Sequence, residues 1–440
     1  MGMTIDSDER PPPTALSIRQ AAFIGVGAMV GAGIFALLGS AGEVAGAAVW
    51  ISFLIAGAVA GLQGYSFAKF GARYPSAGGL LEYVARGFGN GHTTGVTAWL
   101  ILAANAIVTG MVAVSFGSYA STAFADGDES WVPVFAVLVV VMMSVLNILG
   151  SHAVARAQTV VVLVVLTILT VFAVSTLANA DADLLAFSGY PPLRDIVSSV
   201  ALTFFAFLGF GVITFTANDL RDPGRELPWA IYLALGLATV IYVAVSVGVF
   251  GTLTVDEVVD SGGTALAVAA EPVLGRAGYW LMTVTALFAT AGATNAGLYP
   301  AAGLCEEMVA KGQFPAALGR RWGNRAPAGL LLTAAIAIVL AAGFDLTAIA
   351  SIGSAIALCV FGMIATAHLR VRHETGASAW LLVLAVLSTV VVLATFALTT
   401  LVEEPATAAA LLVILALSIA VDLTWKRAHR RGQVPVYGSS

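Results

Sequence analysis

Five glycines carry the most chemistry in this chain. The stretch GVGAMVGAGIFALLG, residues 25–39, sets Gly27, Gly31 and Gly33 inside an apolar run. FFAFLGFGVITF, residues 204–215, sets Gly209 and Gly211 inside another. In hydrocarbon every backbone group needs a partner, and irregular backbone survives only when buried or facing a cavity. A mid-run glycine cluster therefore reads in two ways. It is a small-residue stripe for close helix packing, as the four-residue step from Gly27 to Gly31 allows. Or it is a broken helix whose freed N–H and C=O groups hold a solute. The second cluster lies about 180 residues after the first and shifts the reading toward two matched breaks.

The side-chain inventory is thin by comparison. Asn105 and Thr109 sit a turn apart in one apolar run, and FATAGATNAG, residues 288–297, brings Thr290, Thr294 and Asn295 into another. A buried amide is costly unless paired, so Asn105 reads as a solute contact or as an interhelical hydrogen bond. The histidines at 92, 152, 368, 373 and 429 are scattered, and Cys305 and Cys359 fall in or near apolar runs. No metal-ligand spacing and no nucleophile motif appear, so the expectation is no enzyme, no metal site and no cofactor. Rings of pore-lining polar residues, the mark of a channel, are also missing.

The elements that must position these groups follow from composition. Of 440 residues 59% are hydrophobic and 10% charged, and mean hydropathy is +0.94. Soluble domains carry roughly a quarter charged residues. Apolar runs long enough to cross a bilayer, about 20 residues each, fill the sequence. Twelve are predicted, near 20–42, 44–70, 92–124, 132–150, 155–180, 195–218, 228–253, 277–308, 328–343, 346–369, 379–402 and 405–425. With the N-terminus placed in the cytoplasm, 18 Lys and Arg residues fall inside and only Arg194 and Arg276 outside. That asymmetry predicts a multi-pass plasma-membrane protein with both termini cytoplasmic.

Interrupted runs at matching places in two five-helix halves predict an inverted repeat. The expected organisation is a cytoplasmic tail 1–19, a first repeat 20–185, a second repeat 186–375, two further helices within 376–425, and a tail 426–440. The fold class is all-α: twelve transmembrane helices in a leucine-transporter-like 5+5 inverted repeat, helices 1 and 6 broken, with two extra C-terminal helices.

GVGAMVGAGIFALLG resembles the first-helix signature of the amino acid–polyamine–organocation permeases. PSAGGLLEYVARGFG at 75–89, LNILGSHAVARAQ at 146–158, the sixth run with its loop at 204–231, and EEMVAKGQFP at 306–315 resemble further segments of that superfamily. The likeness spans residue 20 to about 425. One departure stands out: Gly211 replaces the glutamate that many members carry after the glycine–aromatic pair of helix 6.

The resemblance implies a secondary transporter of a zwitterionic amino acid working by alternating access. A helix N-terminus is an anion site, so a substrate carboxylate is expected at N–H groups near Gly31, Ala32 and Gly33. Carbonyls near Phe205, Ala206 and Leu208, beside Gly209, would accept from the ammonium. Ala28 and Met29 would line the same space, with Asn105 beside it and Phe205, Phe207 and Phe210 walling a side-chain pocket. The runs carry no charge at their centres, which favours neutral or apolar amino acids. A carrier of another organic amine, a polyamine or a nucleobase is the alternative, and a membrane-embedded sensor the lesser one. Carbonyls near Ala28 with Thr290 and Thr294 are a candidate cation site, against the reading that both hydroxyls bond their own helix. Coupling to Na+, to H+, or to neither stays open. The expected partners are a small-molecule substrate and the bilayer, with no nucleic acid.

Overall fold

The computed structural model describes residues 16–76, 79–149, 152–322, 326–399 and 405–430. Residues 1–15 of the N-terminal tail, Ala77 and Gly78 of the 75–89 motif, Gly150 and Ser151 of the 146–158 motif, Arg325, the acidic pair 403–404 and the tail from Arg431 lie outside them. The rest is nearly all helical. Among the described residues ten helical stretches are long and apolar enough to cross a membrane, and Ile18–Gly31 and Ala328–Gly343 are shorter apolar helices.

The first expected run is two helices. α1 (Ile18–Ala32) opens on a capping box in which the Ser17 hydroxyl accepts from the Gln20 amide and the Gln20 side chain accepts from the Ser17 amide. α2 (Ile34–Ala45) follows after one residue, Gly33, at φ −101° and ψ −84°. The Gly33 N–H still reaches Met29 O at 2.8 Å, and the ladder resumes with Leu37 N–H to Gly33 O at 2.9 Å. Ile34 and Phe35 open α2, and the first N–H groups of a helix have no partner within that helix. The break expected near residue 30 is present, at Gly33.

Helix α3 (Val49–Arg73) is followed by a nine-residue helix, α4 (Leu80–Phe88), that the apolar-run count omits. The span α5 (His92–Phe124) starts and stops where expected, and α6 (Val132–Leu149) and α7 (His152–Ala178) come within about three residues of their runs. The sixth run divides as well. α8 (Leu193–Phe205) gives way to a 3-10 helix, Leu208–Asp219. Twelve residues of 3-10 geometry are uncommon, since stretches beyond three or four residues are rare and often mark a hinge. Pro223 opens α9 (Pro223–Phe250) at its first turn, where a missing N–H costs nothing.

A short α10 (Val255–Asp260) precedes α11 (Ala265–Leu298), which kinks at Gly275, a left-handed position with φ +68°. α12 (Pro300–Ala310) continues it, and β1 (Arg321–Trp322) pairs antiparallel with β2 (Ala326–Pro327). α13 (Ala328–Gly343) and α14 (Leu346–Thr375) are separate spans because the Asp345 carboxylate caps α14, accepting from Ala348 N–H at 2.8 Å. α15 (Ala379–Leu398) and α16 (Pro405–Arg430) complete the chain. The last helix is pinned at its basic end. Asp422, fully buried, meets His92 Nδ1 at 2.6 Å and Lys426 Nζ at 2.9 Å, and Lys426 also donates to Gly91 O at 2.7 Å.

α1, the 3-10 segment, α5, α11 and α14 form the centre, packed through small residues. A Cβ on Gly31 would collide with the Ala289 carbonyl of α11, so only glycine lets these helices approach so closely. Among the described residues the spans carry a buried polar set that is mostly amide and hydroxyl, such as Gln63, whose Nε2 donates to Thr389 Oγ1 at 2.7 Å and Ala385 O at 3.0 Å.

Candidate functional site

The two breaks touch. A Cβ placed on Gly33 would stand 2.5 Å from Ala206 Cβ and 2.7 Å from the Tyr242 hydroxyl; one placed on Gly209 would stand 2.5 Å from Met29 N. Each interrupted segment thus needs a glycine facing the other's backbone. At the second break the ladder tightens, with Ala206 and Phe207 N–H turning back three residues to Thr203 and Phe204. Tyr242 of α9 donates its hydroxyl to Ala206 O at 3.0 Å. The sequence reading missed Tyr242; a tyrosine amid apolar neighbours at the middle of the seventh run was the available signal.

Beside this crossing lies a cavity of about 80 Å³. Ala28 of α1 lines it with Asn105 and Val108 of α5, Leu208, Gly209, Gly211 and Phe215 of the 3-10 segment, and Ala293 and Gly297 of α11. Ala357 and Phe361 of α14 complete the wall, while Leu80 at the start of α4 and Leu304 close one end. None of the lining residues is ionisable. One water needs about 10–15 Å³ measured this way, so the space fits a few waters or one small solute.

Of the residues picked from sequence, the cavity gathers Ala28, Asn105, Leu208 and Gly209. Met29, Phe205 and Phe210 are fully buried but pack outside it. Phe210 forms a three-ring cluster with Phe67 (5.2 Å) and Phe361 (5.5 Å), which are themselves 4.9 Å apart. Phe205 packs against Gly353, and Phe207 meets Tyr242 edge to face. Gly31 is spent on the α11 contact; Ala32 ends α1, and Gly33 stands at the break against Ala206. Ala357, Phe361, Gly297 and Leu80 were not picked, because helix facing across a bundle is not encoded in any one run's periodicity.

Asn105 makes the interhelical bond and also borders the cavity. Its Nδ2 donates to Gly297 O at 2.9 Å, tying α5 to α11, while the residue stays part of the cavity wall. Thr109 donates to Asn105 O at 2.8 Å. The Thr290 hydroxyl donates to Ala286 O at 2.7 Å and Thr294 to Thr290 O at 2.9 Å, so both spend their protons on α11. The gap where α1, α7 and α11 meet holds only about 10 Å³ and is lined by Gly27, Val30, Gly31, Val162, Val165, Phe288 and other apolar or glycine positions; Ala28, Thr290 and Thr294 are not among them.

Charge gathers beneath the cavity instead. Glu82 reads from sequence as one half of a surface pair with Arg86; in the fold it is buried on α4. Its Oε1 takes Arg86 Nε at 2.6 Å and its Oε2 takes Lys311 Nζ at 2.6 Å, and Lys311 also meets Glu307 at 3.2 Å. Burial pushes the Glu82 carboxyl up, but the hydrogen bonds from Lys311 and Arg86 outweigh it and hold it below the usual value. Burial likewise pulls Lys311 down, and its two carboxylate partners more than reverse that. The helix whose Leu80 closes the cavity is thereby fastened to the end of α12.

Interrupted spanning helices crossing beside a small uncharged cavity, in a bundle of apolar helices, define a membrane transporter of the amino acid–polyamine–organocation type. The family model described as amino acid permease matches residues 16–427, and the chain belongs to that family. It is similar to the inner membrane transport protein YbaT of Escherichia coli, 31% identical over 85% of this chain and 87% of that one. It is also similar to the vacuolar cationic amino acid transporter 2 of Arabidopsis thaliana, 28% identical over 82% of this chain and 60% of the relative. Among solved structures, a single-residue mutant of the manganese transporter of Eremococcus coleocola matches with a TM-score of 0.59, covering 93% of this chain and 92% of that one at 14% identity, which shows a shared fold.

Proposed function

We propose that this permease carries small neutral or apolar amino acids across the plasma membrane by alternating access. The carrying observation is the cavity: about 80 Å³, walled by aliphatic and aromatic groups, with Asn105 as its amide and no ionisable lining residue. A zwitterion suits a site built from peptide groups, with the N-terminal N–H groups of α2 for the carboxylate and carbonyls at the end of α8 for the ammonium. These groups lie at the crossing that borders the cavity, so a substrate would engage them as the helices part. The plant relative's name speaks of cationic amino acids, but a cationic side chain in this cavity would find no carboxylate and would keep its full desolvation cost.

In this reading the basic end of the bundle, with Lys311, Arg86 and Lys426, faces the cytoplasm. The two halves 20–185 and 186–375 act as inverted repeats, and α1–α3 with α8 and α9 rock against the remaining core. A sodium ion would use lone pairs of Thr290 and Thr294 with nearby carbonyls of α1; proton coupling would need another group. The test is uptake of the twenty amino acids into proteoliposomes, with and without sodium and at two pH values, paired with a thermal-shift screen. Uptake of alanine- to leucine-sized substrates supports the reading. Uptake restricted to lysine, arginine or a polyamine overturns it.

A further inference from the structure

We propose that a groove at the basic end, between α3, α9 and the end of α14, binds the headgroup of an aminophospholipid from the adjoining leaflet. The groove has a volume of about 330 Å³ and is lined by Lys69, Arg73, Tyr232 and Glu374 among others. Through Tyr232 it meets a second groove of about 690 Å³ that includes Arg225, Trp229 and Leu233.

Lys69 and Arg73 stand one turn apart on the same face of α3. Like charges at that spacing repel unless an anion lies between them. Among the described residues neither comes within ion-pair distance of a carboxylate; Arg73 sits 5.8 Å from the Tyr74 ring. Arg73 has the α3 C-terminal dipole to answer, but Lys69, a turn deeper, does not. A phosphodiester fits between the two.

The remaining charges select the headgroup. Across the two grooves Lys69, Arg73 and Arg225 face Glu374, Asp222 and Glu226, three against three. A plain anion gains no net field from such a wall. A headgroup with a phosphate and an ammonium answers both signs. Glu374 accepts the Tyr74 hydroxyl through one oxygen and keeps the other for the ammonium. Glu226 is partly spent on the backbone N–H groups of Arg221 and Asp222, at 3.1 and 3.3 Å.

The groove's rim is membrane-interface in character. Trp229 is 64% exposed, Tyr232 41% and Leu233 45%. Indole and phenol side chains favour the headgroup level, and Leu233 offers an apolar track for the first acyl carbons.

The experiment uses the full chain in nanodiscs of equimolar phosphatidylethanolamine and phosphatidylglycerol, with retained lipid read by native mass spectrometry. In detergent, thermal shifts are measured with short-chain forms of each lipid and with inorganic phosphate. Phosphatidylethanolamine should be retained preferentially and should raise the melting temperature most. The Lys69→Gln/Arg73→Gln variant should weaken that affinity about thirtyfold, and Glu374→Gln should erase the preference over phosphatidylglycerol. Equal effects of phosphatidylglycerol, or of phosphate alone, overturn the aminophospholipid assignment, and no retained lipid overturns the site. Lys69→Gln alone serves if the double variant does not fold. Retention unchanged in that variant overturns the role given to the pair.

Discussion

Gly209 lies against the backbone of Met29: a Cβ on Gly209 would stand 2.5 Å from Met29 N and 2.6 Å from the Ala28 carbonyl carbon. Backbone cannot move aside as a flexible side chain can. Gly209→Ala should therefore force α1 and the 3-10 segment apart, at a cost of about 1–3 kcal/mol typical of overpacking. Gly211, two residues on and lining the same cavity, is the control, because its nearest neighbour to an added Cβ is Leu80 at 3.9 Å. The expected result is lost uptake and a lowered melting temperature for Gly209→Ala, with near-normal stability for Gly211→Ala. Equal tolerance of both would show that the helix crossing is not tight.

Tyr242 bonds a carbonyl at the second break. Its hydroxyl donates to Ala206 O at 3.0 Å while its ring packs on Phe53 and Phe207. Tyr242→Phe keeps the ring and removes the donor to a buried carbonyl. A cost of about 1–3 kcal/mol is expected. Because Ala206 sits at the break, the variant should also change the uptake rate of any substrate, measured in proteoliposomes under saturating conditions.

Asn105 links α5 to α11 through Gly297 O at 2.9 Å and borders the cavity. The two roles separate by experiment. An interhelical bond of this kind contributes about 0.6 kcal/mol on average, so Asn105→Ala should barely move the melting temperature of the empty protein. If the amide also contacts substrate, the concentration for half-maximal uptake should rise at least tenfold. A large stability loss with unchanged half-saturation would assign Asn105 to the scaffold alone.

These contrasts show what the linear chain reveals. The apolar runs were legible because a bilayer imposes length and composition on each span: His92–Phe124 and Ala328–Gly343 fall where their runs predict. Both breaks were legible because Gly33 and Gly209 are glycines in hydrocarbon. The partners of the breaks were not. Nothing local to Tyr242 states that it faces Ala206 thirty-six residues earlier, and nothing in the tenth run marks Ala357 and Phe361 as cavity wall. α4 was missed because nine amphipathic residues are too few to register as a span. With α4 went the burial of Glu82, whose spacing to Arg86 resembles any exposed pair.

The Glu82–Lys311 contact supplies the pH dependence. Glu82 is held below its ordinary 4.5, so its contribution is complete above that value and is lost as pH falls through the lower folded-state value. Lys311 is raised above its ordinary 10.5, so its contribution is complete below that value and is lost as pH climbs through the higher one. Stability from this contact should be flat between about pH 5 and 10. The two partners are not equivalent. Glu82→Gln leaves Lys311 paired with Glu307 at 3.2 Å, whereas Lys311→Gln strips a partner from two carboxylates, one of them buried. Lys311→Gln should therefore be the more damaging, by about 1–3 kcal/mol, between the values for exposed and buried pairs. In thermal denaturation across pH, the gap between wild type and Glu82→Gln should close below pH 4 and persist at pH 7. The exchange Glu82→Lys with Lys311→Glu should recover less than the full loss, because Arg86 then faces a like charge. A gap that stays constant down to pH 3 would mean that Glu82 acts through packing rather than through its charge.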